Sequence, residues 1–337
     1  MITNHLQSRS LCLQDIAICD FSSLNRLTNK DVLQQLGKKN DGRLLGFIEQ
    51  SMGIEARHWC SQSQNSLDLA RSAITELVER NPDMREQVDF LIFAGISNPY
   101  PVTTLSALLA DEFGFFNASC WDLKSGCSTA LLALQQGIAL LNSGAKAGII
   151  VSAENLSRFS NPEILQMSMA IGDGAAALYI TQGDEWLVKS SVHGTDSAFS
   201  SYMRVHGEFP VKEDAVPEDY YFTFANKPEG IQRLAHHWQT SLAELLRLAD
   251  LQGEQIQHYV AHQVDEQKNL AVALAAKIPC EKVALNFRQF GNMGSPTIFV
   301  NLHDWLAKQP VRTDDHLVLH AVGGGISWAG ICLQRQP

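Results

Sequence analysis

The chain has 337 residues and a formal net charge of -10, and this acidic balance without a run of Lys or Arg argues against binding to nucleic acid. Its seven Cys residues form no C-x-x-C pair and no zinc spacing, which predicts reduced thiols in a cytoplasmic protein and no metal site. We expect no signal peptide, because the N-terminal residues lack a basic flank followed by an uninterrupted apolar stretch. We expect no membrane span, because no apolar run approaches about 18 residues.

Short apolar runs predict buried strands, and apolar stripes at helical spacing predict helices. In chain order the predicted strands are residues 11–19, 88–94, 119–123, 147–152, 175–180, 186–193, 256–261, 283–287, 316–321 and 326–334. The predicted helices are residues 29–36, 44–52, 66–81, 101–113, one from Ser128 onwards, 230–250, 266–277 and 296–306. Residues 194–228 follow no period, and an excursion of this length often shapes a site.

The order strand, helix, strand, turn, helix, strand, strand occurs twice. The second series begins at residues 256–261, which correspond to residues 88–94. We therefore predict an α/β protein of two duplicated halves, residues 1–185 and 186–337. The duplication places the turn that holds Cys127 opposite the turn that holds Asn292.

Cys127 lies where a predicted strand ends and a predicted helix begins. The first amides of a helix are unpaired and its dipole is positive there, so that we expect the thiol pKa to fall. A cysteine in this position is a candidate nucleophile for acyl transfer. The alternative is that Cys127 is a small buried hydrophobic residue.

Two further turns carry complementary chemistry. His262 follows the strand at residues 256–261, and an imidazole can take or donate a proton. Asn292 lies in the turn of residues 291–294, and its amide can donate a hydrogen bond to a developing negative charge. The glycines at 323–325 let a backbone N–H approach a ligand closely. The alternatives are a structural histidine and an ordinary Gly-Asn turn, but the matching positions in the repeat favour a common site.

These stretches resemble the ketoacyl-ACP synthase III family of the thiolase superfamily. The resemblance covers nearly the whole chain in order. It rests on residues 122–137 around Cys127, the GDGAxA-like residues 172–177, the HQAN-like His262-Gln263-Val264-Asp265, the Gly291-Asn292 turn and the GGGxxWG-like residues 323–330, which have one residue inserted between Trp328 and Gly330. It implies a thiolase-like fold in which the two duplicated halves form a layered αβαβα sandwich.

The resemblance also implies a ping-pong acyltransferase. Cys127 would take an acyl group from a thioester, and the backbone N–H groups of Cys127 and Gly324 would form the oxyanion hole. His262 and Asn292 would stabilise the enolate left when a malonyl-type thioester loses CO2, and a 3-oxoacyl product would form. The family implies fatty-acid or polyketide biosynthesis, an acyl carrier protein as partner, no cofactor beyond the pantetheine of the substrates, and a homodimer with Ser119–Leu123 as a candidate interface edge.

The chain departs from the family in the segment of residues 40–57. The family's Trp and Arg, which hold the adenine of CoA, are missing there, and Ser51 stands in place of the Arg. This predicts weak dependence on CoA and a preference for thioesters of a carrier protein. Gln267 replaces the family's basic residue, so that Arg233 and Lys268 are the candidate carrier-protein contacts, with ordinary surface charges as the alternative.

A second departure keeps other functions open. Asp265 replaces the Asn of the HQAN motif, and relatives that transfer an acyl group to a hydroxyl or an amine use a Cys-His-Asp set. Asp265 is therefore a possible modulating residue, whereas the retained Asn292 favours condensation. A non-catalytic scaffold is the third alternative. Residues 96–101 and 194–224 are the candidate walls of the acyl pocket.

Overall fold

The computed structural model describes residues 2–3, 10–38, 42–225 and 227–337. The strands in these ranges are β1 (Ile2–Thr3), β2 (Ser10–Ile18), β3 (Asn25–Thr28), β4 (Ala56–Trp59), β5 (Val88–Ala94), β6 (Ser119–Leu123), β7 (Ala147–Glu154), β8 (Gly174–Thr195), β9 (Met203–Arg204), β10 (Thr223–Phe224), β11 (His258–Ala261), β12 (Val283–Ala284), β13 (His316–Gly323) and β14 (Ser327–Arg335). The helices are α1 (Asn29–Gln35), α2 (Gly42–Met52), α3 (Ser66–Arg80), α4 (Met84–Gln87), α5 (Leu105–Phe113), α6 (Thr129–Asn142), α7 (Leu165–Ala170), α8 (Lys227–Ala249), α9 (Glu266–Ala275), α10 (Phe287–Phe290) and α11 (Thr297–Lys308).

The main sheet has the strand order β12-β11-β13-β14-β8-β7-β5-β6, and β1 and β2 also pair with β8. In one half the order is β2-β8-β7-β5-β6, with the last two pairings parallel. The other half repeats it as β8-β14-β13-β11-β12, again with the last two pairings parallel. The predicted duplication is therefore visible in the strand order. Because β8 runs continuously through residues 185 and 186, where the sequence predicts the boundary, the two halves share this strand.

Five layers follow from the packing of the helices. Helices α6 and α11 lie at the centre, where Leu131, Leu134 and Phe299 pack against strands of both halves. Helices α3 and α5 cover the outer face of the first half, and α8 and α9 cover the outer face of the second. This αβαβα arrangement confirms the fold class expected from the sequence.

Several predicted elements are shorter than expected, and a side chain explains two of them. The helix predicted from residue 101 begins at Leu105, because the Asp122 carboxylate accepts the N–H groups of Leu105 and Ser106 at 2.7 and 3.0 Å. The strand predicted for residues 283–287 ends at Ala284. Beyond it, Gln263 Oε1 accepts the backbone N–H of Phe287 at 2.8 Å, at the start of α10.

The segment between β8 and α8 contains the short hairpin of β9 and β10. It is tied to both halves, since Phe222 N–H donates to Phe159 O and Asp196 N–H donates to Ile326 O, each at 2.8 Å. Among the residues that the structure describes, no helix combines the length and apolar character needed to cross a membrane.

Candidate active site

Cys127 lies in a tight turn between β6 and α6. Gly126 has a φ of +59°, a conformation that favours glycine. A Cβ at Gly126 would stand 2.6 Å from Gly324 O, and a Cβ at Gly323 would stand 2.5 Å from Cys127 N. Two glycine-containing turns, one from each half, are therefore in direct contact at the cysteine.

The thiol of Cys127 is buried, with 8% of the residue exposed. Hydrogen bonds from the backbone N–H groups of Gly324 and Cys127 lower its pKa, but burial and the nearby Glu154 carboxylate raise the pKa to about 12. The predicted fall in pKa is therefore wrong, because loss of water and a facing acid outweigh the helix N-terminus. The resting group is a thiol that must lose its proton to become a nucleophile.

His262 follows the last residue of β11. Its backbone N–H donates to His320 O and its carbonyl accepts from Asn269 Nδ2, both at 2.9 Å. Burial lowers the pKa of His262 to about 4, opposed by a hydrogen bond to the Gly294 backbone. The imidazole is neutral at pH 7, so that one ring nitrogen can donate and the other can accept.

Asn292 is fixed through its backbone and its side chain. Its N–H donates to Ala170 O at 2.7 Å, and its carbonyl accepts from Gly172 N–H at 3.0 Å. Its Oδ1 accepts from Gly294 N–H at 2.8 Å, which orients the side chain. Among the described residues the amide NH2 has no partner and is available to a ligand.

One cavity of about 270 Å³ brings these groups together. Cys127, His262, Asn292 and Gly324 all line it, so that the turns that the sequence pairs do meet. The rest of the lining is predominantly apolar and includes Ile96, Leu156, Ile164, Met167, Ile171, Tyr202, Met203, Phe222, Phe224, Ile231, Leu234, Trp238 and Val322. Both stretches expected to form walls, residues 96–101 and 194–224, contribute to it. Exposed lining residues mark its mouth: Gln166, Lys227, Ile231, Ala235 and Lys268.

Asp265 lies in the cavity wall but caps a helix. It is the N-cap of α9, and its Oδ1 accepts from Lys268 N–H at 2.7 Å. Its Oδ2 forms an ion pair with Lys268 Nζ. Within the described part of the chain no hydrogen bond joins this carboxylate to His262, and no Cys-His-Asp set is assembled.

The two candidate carrier-protein contacts differ in position. Lys268 lines the mouth of the cavity. Arg233 lies on α8 outside the cavity, where its Nη1 is 2.8 Å from Asp196 Oδ2 and its Nε is 3.1 Å from Glu229 Oε1. Its guanidinium also stacks over the Phe199 ring, 4.3 Å from the centroid. Arg233 thus anchors the segment that follows β8.

Ser51 and Gln267 have local partners. Ser51 Oγ donates to Phe47 O at 2.6 Å within α2, and Gln267 Nε2 donates to Gln50 O at 2.9 Å. The segment of residues 40–57 lies only in part within the described residues, since 40 and 41 fall outside them. Neither side chain supplies a cation at the cavity mouth.

Sequence reasoning missed Glu154, whose charge acts on Cys127. It is the last residue of β7 and fully buried, and it accepts from the N–H groups of Ile96 and Ser97 at 2.8 and 2.9 Å and from the Ser97 hydroxyl. Burial raises its pKa to about 7. An acidic residue at the end of a buried strand was the available signal.

Two family models match the chain. The 3-oxoacyl-[acyl-carrier-protein (ACP)] synthase III model matches residues 121–197, and the model of the C-terminal part of the same family matches residues 246–335. The first includes Cys127, and the second includes His262 and Asn292. All three residues therefore lie in matched regions.

The chain is also similar to known proteins in sequence and in structure. Beta-ketoacyl-[acyl-carrier-protein] synthase III of Clostridium perfringens (strain SM101 / Type A) is 25% identical over 295 residues, which cover 86% of this chain and 90% of that protein. The structure of 3-oxoacyl-(acyl carrier protein) synthase III from Pseudomonas aeruginosa PAO1 has a TM-score of 0.83 at 21% identity and covers 98% of this chain and 99% of that one.

A second structural relative is the priming beta-ketosynthase from the R1128 polyketide biosynthetic pathway. It has a TM-score of 0.84 at 18% identity, covering 98% of this chain and 97% of that one. These likenesses confirm the thiolase-like fold. Together with the family models, they show that the chain belongs to the 3-oxoacyl-[acyl-carrier-protein] synthase III family and is an acyltransferase.

Proposed function

We propose that Cys127 accepts an acyl group from a thioester, and that the acyl-enzyme then condenses with a malonyl-type thioester with loss of CO2. The observation that carries the proposal is that Cys127, His262 and Asn292 line the same cavity. The product is a 3-oxoacyl thioester, as required in fatty-acid or polyketide biosynthesis.

The loading step uses the turn between β6 and α6. The Cys127 sulfur attacks the thioester carbonyl, and the carrier leaves as a thiol that takes up the proton lost by Cys127. The backbone N–H groups of Cys127 and Gly324 lie near enough to the sulfur to lower its pKa. We assign to this pair the oxyanion hole, since two fixed donors stabilise the negative oxygen of the tetrahedral intermediate.

The condensation step uses His262 and Asn292. We assign to His262 and the unpartnered Asn292 amide the two donors for the thioester carbonyl of the malonyl-type substrate, with the neutral imidazole carrying its proton on the ring nitrogen that faces this carbonyl. Cleavage of its carboxylate as CO2 leaves an enolate whose oxygen these donors stabilise without a metal. The enolate carbon then attacks the acyl-Cys127 carbonyl, and the Cys127 thiolate leaves.

A carrier protein fits the mouth of the cavity as the source of the thioester. Lys227 and Lys268 line this entrance and are exposed. Acyl carrier proteins are expected to present acidic surfaces, and two cations at the entrance suit such a partner. We also propose a homodimer joined through β6, because this strand ends the main sheet and Trp121 on it is 42% exposed.

Mass spectrometry of the intact protein tests the function. We expect an acyl adduct on Cys127 after incubation with an acyl-carrier protein, and its release as a 3-oxoacyl product plus CO2 when a malonyl-carrier protein is added. Cys127→Ala should abolish loading. Asn292→Ala should load normally and fail to decarboxylate the malonyl thioester.

Two results would overturn the proposal. A wild-type protein that never acquires an acyl adduct would be a non-catalytic scaffold. An adduct that is released only to an alcohol or an amine would make the protein an acyltransferase to oxygen or nitrogen. The Asp265 carboxylate is already bonded to Lys268, which argues against acyl transfer to oxygen or nitrogen.

A further inference from the structure

Tyr202 presents an unused hydroxyl to the cavity. The residue directly precedes β9, is only 6% exposed and lines the cavity. Within the described residues no group forms a hydrogen bond with its hydroxyl. Burial raises the pKa of Tyr202, so that the hydroxyl keeps its proton and can act as a donor. The hydroxyl oxygen is not fully enclosed by protein, so that a ligand in the cavity can reach it.

Gly230 explains how the Tyr202 ring is held. Gly230 lies in the first turns of α8, where glycine is an unfavourable helix residue. A Cβ at this position would overlap the Cδ2 and Cε2 atoms of the Tyr202 ring. The ring also lies against Phe224, with 5.5 Å between centroids. The missing side chain of Gly230 therefore makes room for the tyrosine.

The neighbours of Tyr202 place it between the mouth and the nucleophile. Lys227 and Ile231, which flank Gly230 on α8, are exposed lining residues at the mouth. On the other side, Met203 lies against the Gly324 backbone, where a Cβ would overlap its Cε. A thioester that reaches Cys127 from the mouth leaves its pantetheine arm along this path. The polar groups of that arm are its amides and hydroxyl.

We propose that the Tyr202 hydroxyl donates a hydrogen bond to an amide carbonyl of the pantetheine arm. Tyr202 is then a substrate-binding residue that aligns the thioester with Cys127. The inference rests on the proposed function, because it requires a pantetheine thioester as substrate.

Tyr202→Phe tests the contact, since it removes one oxygen and keeps the ring. One acyl group is presented to the enzyme as its pantetheine thioester and as its ethanethiol thioester, which has no amide. For acylation of Cys127, we expect kcat/KM to fall about five- to tenfold with the pantetheine thioester and to stay within about twofold with the ethanethiol thioester. The loss should be equal for an acetyl and a longer acyl group on pantetheine.

Gly230→Ala supplies a second variant, because its Cβ displaces the ring. We expect the same selective loss, with a far-UV circular dichroism spectrum like that of the wild type. Gly46→Ala is the matched control, since Gly46 is also helical and a Cβ there meets nothing within 4 Å.

Three outcomes would overturn the inference: no loss in Tyr202→Phe, an equal loss with the ethanethiol thioester, or a loss that changes with the acyl group. Failure of the proposed function is distinct from these, because the wild-type protein would then form no adduct with either thioester.

Discussion

Ser97 donates two hydrogen bonds to the Glu154 carboxylate, one from its backbone N–H at 2.9 Å and one from its hydroxyl. This contact joins the stretch after β5 to the end of β7, beside the Cys127 turn. It keeps a carboxylate in a fully buried position, where its charge acts on the Cys127 thiol. Two predictions concern this carboxylate.

Replacement of Glu154 by Gln should make Cys127 more reactive. The neutral amide no longer opposes a thiolate, so that the pKa of Cys127 falls and the thiolate fraction at pH 8 rises. We expect alkylation of Cys127 by iodoacetamide to become about two- to tenfold faster, measured by mass spectrometry. Asp173→Asn is the control, since Asp173 is an equally buried acid that bonds Ser157 and Cys60. Equal acceleration in the control would mean that loosened packing exposes the thiol.

Replacement of Glu154 by Gln should also change how the free energy of unfolding depends on pH. Burial raises the pKa of Glu154 from 4.5 to about 7, so that the folded state binds this proton more tightly than the unfolded state. The stabilising contribution is complete below pH 4.5 and is lost as the pH rises through 7. Relative to Glu154→Gln, the unfolding free energy of the wild type should therefore fall by up to about 3 kcal/mol between pH 4.5 and 8. Urea unfolding across this range measures it, and a constant difference would contradict it.

Condensation should persist at acidic pH. Burial lowers the pKa of His262 to about 4, so that the imidazole stays neutral at pH 5. A histidine with its ordinary pKa near 6.5 would be about 97% protonated there. We expect the pre-acylated enzyme to decarboxylate a malonyl thioester at pH 5 within about threefold of its rate at pH 7. A loss of about thirtyfold, with an unchanged near-UV circular dichroism spectrum, would show that His262 titrates normally.

Arg57→Met should destabilise the fold and impair condensation more than loading. Arg57 is fully buried and donates to Leu27 O at 3.4 Å, Asn29 Oδ1 at 2.7 Å and Met169 O. The next carbonyl, Ala170 O, holds Asn292 N–H. Loss of these donors should lower the unfolding free energy by about 2–4 kcal/mol.

Arg57→Lys, which keeps a donor and the charge, is the control for that variant. We expect it to be intermediate in chemical unfolding. A malonyl decarboxylation rate that stays unchanged in Arg57→Met would show that the Asn292 turn does not depend on Arg57.

A carrier-linked thioester should be preferred over the CoA thioester of the same acyl group. Ser51 and Gln267, which replace basic or clamping family residues, bond to backbone carbonyls of α2. We expect kcat/KM for acylation to be at least about tenfold higher with acyl-carrier protein, and Lys268→Ala to raise KM for that substrate about threefold at low salt. Arg233→Ala is the comparison, because Arg233 lies outside the cavity, whereas Lys268 lines its mouth. Comparable kcat/KM values for the two donors would count against the preference.

The sequence predicts the order of the elements well because buried strands and amphipathic helices leave strong periodic patterns. It also predicts that Cys127, His262 and Asn292 share one site, since each follows a recognisable strand end or turn, and all three line one cavity. It does not reveal Tyr202. The residue that makes room for its ring, Gly230, is distant in the chain, and only the folded structure shows that a side chain at Gly230 would overlap the ring. The direction of the Cys127 pKa was wrong for a similar reason: the burial of the thiol and the approach of Glu154 are tertiary effects.

The continuous course of β8 has a consequence for how substrates enter. The two halves share this strand, and β2 spans the boundary between them by pairing with residues 176–181 and 186–187 of β8, which opposes rotation of one half away from the other. We therefore expect the turns of Cys127, His262 and Asn292 to keep their separation during the cycle. Admission and release of a thioester should then depend on local movement of the hairpin of β9 and β10 and of the side chains around the entrance.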